Sequence, residues 1–284
     1  MDNQTLDNYI KAGKICASVR DEIKTMVKVG DSLLALAEKI EAMIRERDGQ
    51  PAFPVNLSLN DVAAHYTPTK VDETKINDGD MLKIDIGVHI DGYIADTAVT
   101  VSFNKEMDYM IEATDKALTE AIKLCKPGAK LSEISDVIER TIKEFDLNPI
   151  QNLTGHGIER YETHAPPQIP NVSFKSDYAL KENQVIAIEP FATKGKGFVK
   201  DSPDAFIFSV YRPVNTRNAD ARKIIDFATQ FNGLPFAERW IPLDSMFKIR
   251  VALRELRARE AIVDYSVLKE TSGQPVSQSE QTLI

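Results

Sequence analysis

Asp85 and Asp96 stand on either side of a strong turn signal, Asp91-Gly92. From Met81 to Ile90 the chain alternates, with Leu82, Ile84, Ile86, Val88 and Ile90 apolar and Lys83, Asp85, Gly87 and His89 between them. A period of two marks a half-buried strand. Asp-Gly is a preferred hairpin turn, so Tyr93 to Phe103 is the returning strand. A two-residue turn pairs Ile90 with Tyr93, Gly87 with Asp96 and Asp85 with Ala98. Paired residues share a face, which makes Asp85 and Asp96 diagonal neighbours, roughly 7 Å apart at the backbone. Gly87 leaves the space beside Asp96 open. Two carboxylates so placed repel, and burial adds a desolvation cost. A hard cation with a preference for oxygen ligands relieves both. The alternative is a register slipped by one residue, which turns one aspartate to solvent and leaves no site.

Other residues could complete such a site. His156 lies in Asn152-Leu153-Thr154-Gly155-His156-Gly157, and His164 follows in Tyr161-Glu162-Thr163-His164-Ala165-Pro166-Pro167. Two of the four histidines in a stretch rich in Gly and Pro suggest a loop-borne site. Taken singly, each is better read as a surface or satisfied core histidine. Glu189 interrupts the apolar run Val185-Ile186-Ala187-Ile188-Glu189-Pro190-Phe191; buried there, it must be paired, coordinated or protonated. Glu280 stands near the chain's end, where a solvated tail is the ordinary reading.

The elements that must position these residues are readable from periodicity. Ile15, Val19, Ile23 and Met26 predict a helix from Thr5 to about Val29, closed by Gly30. Leu36, Ile40, Met43 and Ile44 predict a second after Asp31-Ser32. The Pro-flanked segment around Pro51 to Leu59 is extended. Helices follow at about Lys105–Lys126, ended by Pro127-Gly128, and at Ser132–Phe145. Val185–Ala192 reads as one strand, 213–260 as mainly helical and irregular, and Ile262–Lys269 and Val276–Ile284 as strands. Helices mixed with hairpin-paired strands indicate an antiparallel-rich α+β core in a single domain, with 213–260 as an insertion.

Composition bounds the function. The chain has 284 residues, 43% hydrophobic and 27% charged, an ordinary globular balance. Its net charge of −8 argues against general nucleic-acid binding. The two cysteines, Cys16 and Cys125, lie in apolar helical patterns without metal or disulfide spacing, and read as buried free thiols of a reducing compartment. No apolar run approaches the roughly 20 residues of a membrane span. A soluble, cytoplasmic protein is expected.

Together the segments resemble the methionine aminopeptidases, specifically the type II class. The resemblance is carried by Ala52-Phe53-Pro54, Ser58-Leu59-Asn60 and Ala63-Ala64-His65-Tyr66-Thr67-Pro68. It continues through Lys83-Ile84-Asp85-Ile86-Gly87, Asp91-Gly92-Tyr93-Ile94-Ala95-Asp96-Thr97 and Asn152-Leu153-Thr154-Gly155-His156, with His164. Ile188-Glu189-Pro190-Phe191 and Ser277-Gln278-Ser279-Glu280 complete it. These stand in family order over nearly the whole chain. The insertion between Glu189 and Glu280 is what separates type II from type I, and the lack of a long charged N-terminal extension resembles the archaeal members.

The resemblance implies a pita-bread α/β fold with an inserted helical subdomain at 213–260. It implies two divalent ions (Co, Mn, Fe, Zn or Ni) held by Asp85, Asp96, His156, Glu189 and Glu280, with Asp96 and Glu280 bridging. Hydrolysis of the N-terminal methionine of nascent proteins, by hydroxide that the ion pair activates, would follow. Glu189, His164 and His65 are the implied catalytic groups, and His65, His164, Phe53 and Tyr265 the implied substrate contacts. N-terminal peptides are the implied partners of a monomer, with a ribosome contact admissible and no membrane or specific nucleic acid. Two departures stand out: Gln281 occupies the place of a common His, and Thr154 that of a frequent Asn. Rival readings are an X-Pro aminopeptidase or prolidase-like enzyme on the same ligand set, and a non-catalytic pita-bread binding protein.

Overall fold

The computed structural model describes residues 1–284. The chain opens with two helices, α1 (Asn3–Met26) and α2 (Leu33–Glu46). Asp2 and Ser32 cap them, each side chain accepting from a backbone N–H of the first turn, Thr5 and Ala35 respectively. Five strands follow: β1 (Gln50–Pro51), β2 (Asn56–Leu59), β3 (Val62–Ala64), β4 (Met81–Ile90) and β5 (Tyr93–Ser102). Helices α3 (Asp108–Leu124) and α4 (Leu131–Lys143) precede β6 (Asn148–Pro149), β7 (Thr154–Glu159), β8 (Glu162–Pro170), β9 (Ile186–Ile188), β10 (Phe191–Thr193) and β11 (Val199–Val210). The remainder holds α5 (Ala219–Ala228), β12 (Phe236–Ala237), α6 (Met246–Ala258), β13 (Ile262–Glu270), β14 (Val276–Gln278) and β15 (Glu280–Leu283).

All pairings are antiparallel. The main sheet has eight strands in the order β1-β4-β5-β15-β9-β7-β8, with β2 also on β4. Smaller sheets run β14-β10-β6 and β12-β11-β13-β3. The period of two in β4 decides which side is which. Leu82, Ile84, Ile86 and Val88 pack against Ala12, Ile15, Cys16 and Val19 of α1 and Leu36 and Ile40 of α2. Ile186 and Ile188 of β9 pack likewise against α3 and α4. Helices therefore cover one face of the main sheet, and the odd-numbered residues of β4 are left to the other. This mixed, hairpin-built α/β architecture is the one the periodicity predicts.

The hairpin register is also as predicted: Ile90 pairs with Tyr93, Gly87 with Asp96 and Asp85 with Ala98. Asp91 and Gly92 both have positive φ, 51° and 86°, as the tight turn requires. Four expectations are corrected. Val185–Ala192 is not one strand: β9 belongs to the main sheet and β10 to the three-stranded one, with Glu189-Pro190 between them. Proline has no N–H to continue a ladder, so the chain changes sheet there. Val276–Ile284 divides in the same way at Ser279, whose backbone N–H donates to the Pro190 carbonyl at 3.2 Å. The His156–His164 stretch is a hairpin, β7–β8, rather than a loop; its prolines are tolerated because β8 is the sheet edge. Cys16 is buried, but Cys125 is only partly so, and both are unpaired.

Between β11 and β13 the chain is helical as expected, with β12 added to the edge of β11. Ala221 and Ile224 of α5 and Ile249, Ala252, Leu253 and Leu256 of α6 close a core over Phe208 and Phe236. A buried ion pair ties this layer to the body: Arg239 meets Glu41 of α2, with side chains 3% and 4% exposed.

Candidate active site

Two adjacent rungs of the main sheet build the site. In one rung Asp85 pairs with Ala98, and Ala98 with Glu280. In the next, Gly87 pairs with Asp96. The Asp96 backbone meets Thr282, whose hydroxyl accepts from its N–H at 2.7 Å and donates to its carbonyl at 2.9 Å. Thr282 pairs with Ala187, and Ala187 with His156. Partners across a sheet share a face, so Asp85, Glu280, Asp96 and His156 all face away from the helices. Glu189 follows Ile188, which points to the helical core, and so turns to the same side. Small residues at Ala98 and Ala187 keep the rungs clear.

The side chains converge accordingly. The ligating atoms of Asp96, His156 and Glu280 all lie within 4.8 Å of one another. His156 Nε2 is 3.9 Å from Asp96 Oδ2 and 3.7 Å from Glu189 Oε1. His156 Nδ1 lies 3.1 Å from the Gly157 carbonyl, which can only accept, so the proton sits on Nδ1 and the Nε2 lone pair faces the carboxylates. Gly155 and Gly157 permit this placement: a Cβ at Gly155 would lie 2.5 Å from the Ala187 carbonyl oxygen, and one at Gly157 would lie 2.1 Å from that of Pro166.

Burial dominates the electrostatics. It raises the Asp85 carboxyl to about 7. Asp96 and Glu280 are pushed up by burial and then by their neighbouring carboxylates, and Glu189 by burial and then by Asp85. Burial lowers His156 to about 4, so its ring is neutral. His65 is lowered for the same reason, and His164 by its confinement and the neighbouring imidazoles.

One cavity of about 490 Å³ collects every residue singled out from the sequence: Asp85, Asp96, His156, Glu189 and Glu280 with Phe53, His65, His164 and Tyr265. His164 lies edge-on to His156 at 4.6 Å between ring centroids, and Tyr265 stands between His65 and His164 at 5.8 and 6.4 Å. His65 has a left-handed φ of 64° and its Nδ1 lies 3.1 Å from the Ser266 carbonyl. The space beside Asp96 is not open as expected. The Phe53 ring fills it, lying so close that a Cβ on Gly87 would fall 2.2 Å from Phe53 Cε1. Sequence reasoning missed Ile207, Pro235 and Leu153 in the cavity wall. The apolar run Ala205-Phe206-Ile207-Phe208 could have marked Ile207 as a buried strand position; nothing local marks Pro235.

The donor set fits a divalent cation. Four carboxylates and a neutral imidazole converge, yet no Lys or Arg lines the cavity. Asp85 Oδ1 and Asp96 Oδ1 are buried without any hydrogen-bond partner, a cost that proteins avoid unless the group is used. Oxygen donors with one imidazole suit borderline divalent ions such as Mn, Fe, Co, Ni or Zn.

With that geometry established, known proteins define the class. The chain belongs to metallopeptidase family M24, whose model matches residues 7–213. Its full-length relatives there are archaeal proteins named methionine aminopeptidase. That of Thermococcus onnurineus is 48% identical over 97% of this chain and 94% of its own. That of Pyrococcus horikoshii is 48% identical over 98% and 96%. Among solved structures, methionine aminopeptidase from Thermotoga maritima shares the fold, with a TM-score of 0.72 at 20% identity over 100% of this chain and 94% of that one. A thermophilic Arx1 does so at 0.84 and 20%, over 99% and 88%.

Proposed function

We propose that this protein is a metal-dependent aminopeptidase that removes N-terminal methionine from peptides. The observation that carries it is the convergence of Asp85, Asp96, His156, Glu189 and Glu280 on one cavity, four of them from two adjacent sheet rungs, in a chain with methionine aminopeptidase relatives over its full length. The full-length match favours this activity over the prolidase-like and non-catalytic readings.

The finer roles are part of the proposal. Asp85, Asp96, His156, Glu189 and Glu280 would hold the divalent cations. When bound, divalent cations supply Lewis acidity and make water a competent nucleophile near neutral pH. The methionine side chain lies against Phe53, Tyr265, Ile207 and Pro235, an apolar wall suited to a flexible thioether. His65 donates to Ser266 through Nδ1, so its Nε2 is an acceptor for a substrate N–H. His164 stabilises the oxyanion of the tetrahedral adduct. Glu189 takes the proton from the attacking water and passes it to the leaving amine. The peptide C–N bond breaks as that nitrogen is protonated.

Residues 213–260 are proposed as a type II insertion on one catalytic domain spanning 1–284. Their separate core and the Glu41–Arg239 anchor support this. With nascent N-termini as substrates, the proposed setting is the cytoplasm and the proposed state a monomer in reach of the ribosome; no helix is long and apolar enough to cross a membrane.

Glu189→Gln tests the mechanism. It should fold and lose nearly all turnover on a Met-Gly-Ser peptide, since a proton relay contributes about 100- to 10,000-fold. Retention of more than a tenth of the activity would remove Glu189 from that role. Ala-Pro peptides should be poor substrates; a preference for them over Met-Gly-Ser would reinstate the X-Pro reading.

A further inference from the structure

Gln278 lies two residues before Glu280 and is 1% exposed, so its amide must find partners inside the protein. Its Nε2 donates to Glu280 Oε2 at 3.4 Å, and the same side chain lies close enough to Asp85 to favour that group's charged form. One amide therefore holds Glu280 and faces Asp85. Its backbone is clamped as well: the Gln278 N–H donates to Thr100 Oγ1 at 2.8 Å, and that hydroxyl donates back to the Gln278 carbonyl at 2.7 Å. Beyond it, Ser279 is tied to Thr114 and Asp115 of α3. The strand is thus pinned where the chain passes from β14 to β15.

A neutral donor is the suitable group at this place. A Lys or Arg bridging the same carboxylates would neutralise them and compete with an incoming cation. An apolar side chain would leave both free to swing apart under mutual repulsion. An amide fixes their separation without adding charge.

We propose that Gln278 is a positioning residue: it sets the spacing of Asp85 and Glu280 before a cation arrives, and thereby raises affinity for that cation. This rests on the metallopeptidase reading above. Loss of an outer partner of a ligating group typically costs about 10- to 100-fold in metal affinity.

The test is calorimetric titration of metal-stripped protein with Mn(II), alongside the visible absorption of the Co(II)-loaded protein. Gln278→Met should weaken Mn(II) binding by about 10- to 100-fold and alter the Co(II) spectrum, with far-ultraviolet circular dichroism unchanged. Gln278→Asn keeps the amide but is too short to span both groups. It should show the same loss, and serves if the Met variant does not fold. Wild-type affinity and spectrum in a folded variant would overturn the assignment while leaving the metallopeptidase reading intact. A wild-type protein that binds no stoichiometric Mn(II) or Co(II) would overturn both.

Discussion

Glu41→Gln isolates the contact that holds the inserted layer to the body. Glu41 and Arg239 are 4% and 3% exposed at their side chains. One carboxylate oxygen takes the Arg239 guanidinium; the other accepts from Trp240 Nε1 at 2.8 Å. Arg239 also donates to Thr67 Oγ1 and, at 3.2 Å, to the Pro68 carbonyl, while its Nε has no acceptor. Glutamine keeps the volume but removes the charge, and its amide nitrogen must oppose either the guanidinium or the indole N–H. One charge-assisted hydrogen bond, about 1.5–3 kcal/mol, is lost, and a buried guanidinium is left without a counter-charge. Breaking one partner of such a pair costs about 3–5 kcal/mol in total. At roughly 2 °C per kcal/mol for a chain of this size, Tm should fall by about 6–10 °C.

Urea denaturation followed by Trp240 fluorescence, the chain's one tryptophan, reads the local event. Trp240 stacks on Phe231 at 5.7 Å, and Phe231 packs with Leu234 against the Phe53 cluster, next to Pro235 of the cavity wall. KM for methionyl peptides should therefore rise while kcat changes little. The double variant Glu41→Leu/Arg239→Met should recover most of the stability, because the penalty arises from the orphaned charge. A single variant within about 1 kcal/mol of wild type would refute this account, since no buried charge orphaned at 3% exposure should be so well tolerated.

Three further outcomes are expected. Gly87→Ala drives a Cβ into the Phe53 ring, 2.2 Å from Cε1; overpacking should cost about 1–3 kcal/mol and raise KM for methionyl substrates, and unchanged kinetics would separate Phe53 from the pocket. Glu270 is raised by burial but more than offset by the Ser272 hydroxyl and the backbone N–H groups of Gln274, Ser272 and Lys196, which hold it below the ordinary 4.5. A carboxyl depressed on folding contributes stability above its unfolded value and loses it as pH falls through the folded one, so the stability gap between wild type and Glu270→Gln should close below about pH 4.5; a gap independent of pH would contradict this. Exhaustive chelation should abolish peptidase activity, with Mn(II), Co(II) or Fe(II) restoring it in a direct assay, whereas full activity in metal-free protein would end the metallopeptidase mechanism.

The β4–β5 hairpin was legible because everything that defines it is local. Alternation gives the faces, Asp91-Gly92 gives the turn, and together they give the register that puts Asp85 and Asp96 on one side. The helices α1 to α4 were equally plain from their apolar stripes. The strand character of His164 was hidden because β8 is an edge strand, where prolines are permitted that would forbid a central one; that of His156 was hidden by Gly155 and Gly157 on either side of it in β7. The division of Val185–Ala192 and of Val276–Ile284 between two sheets was hidden too, since it depends on which distant strands each half pairs with.

Residue order therefore determined the local elements, the pairing of the two aspartates and, by resemblance, which distant side chains belong with them. Only the tertiary structure decided how they meet. Glu280 reaches Asp85 through Ala98, and His156 reaches Asp96 through Ala187 and Thr282. The same folding lays Phe53 over Gly87 and brings Gln278 onto two carboxylates. The reason is that strand neighbours in a sheet are chosen by long-range pairing and core burial, and these leave no periodic trace in any one segment.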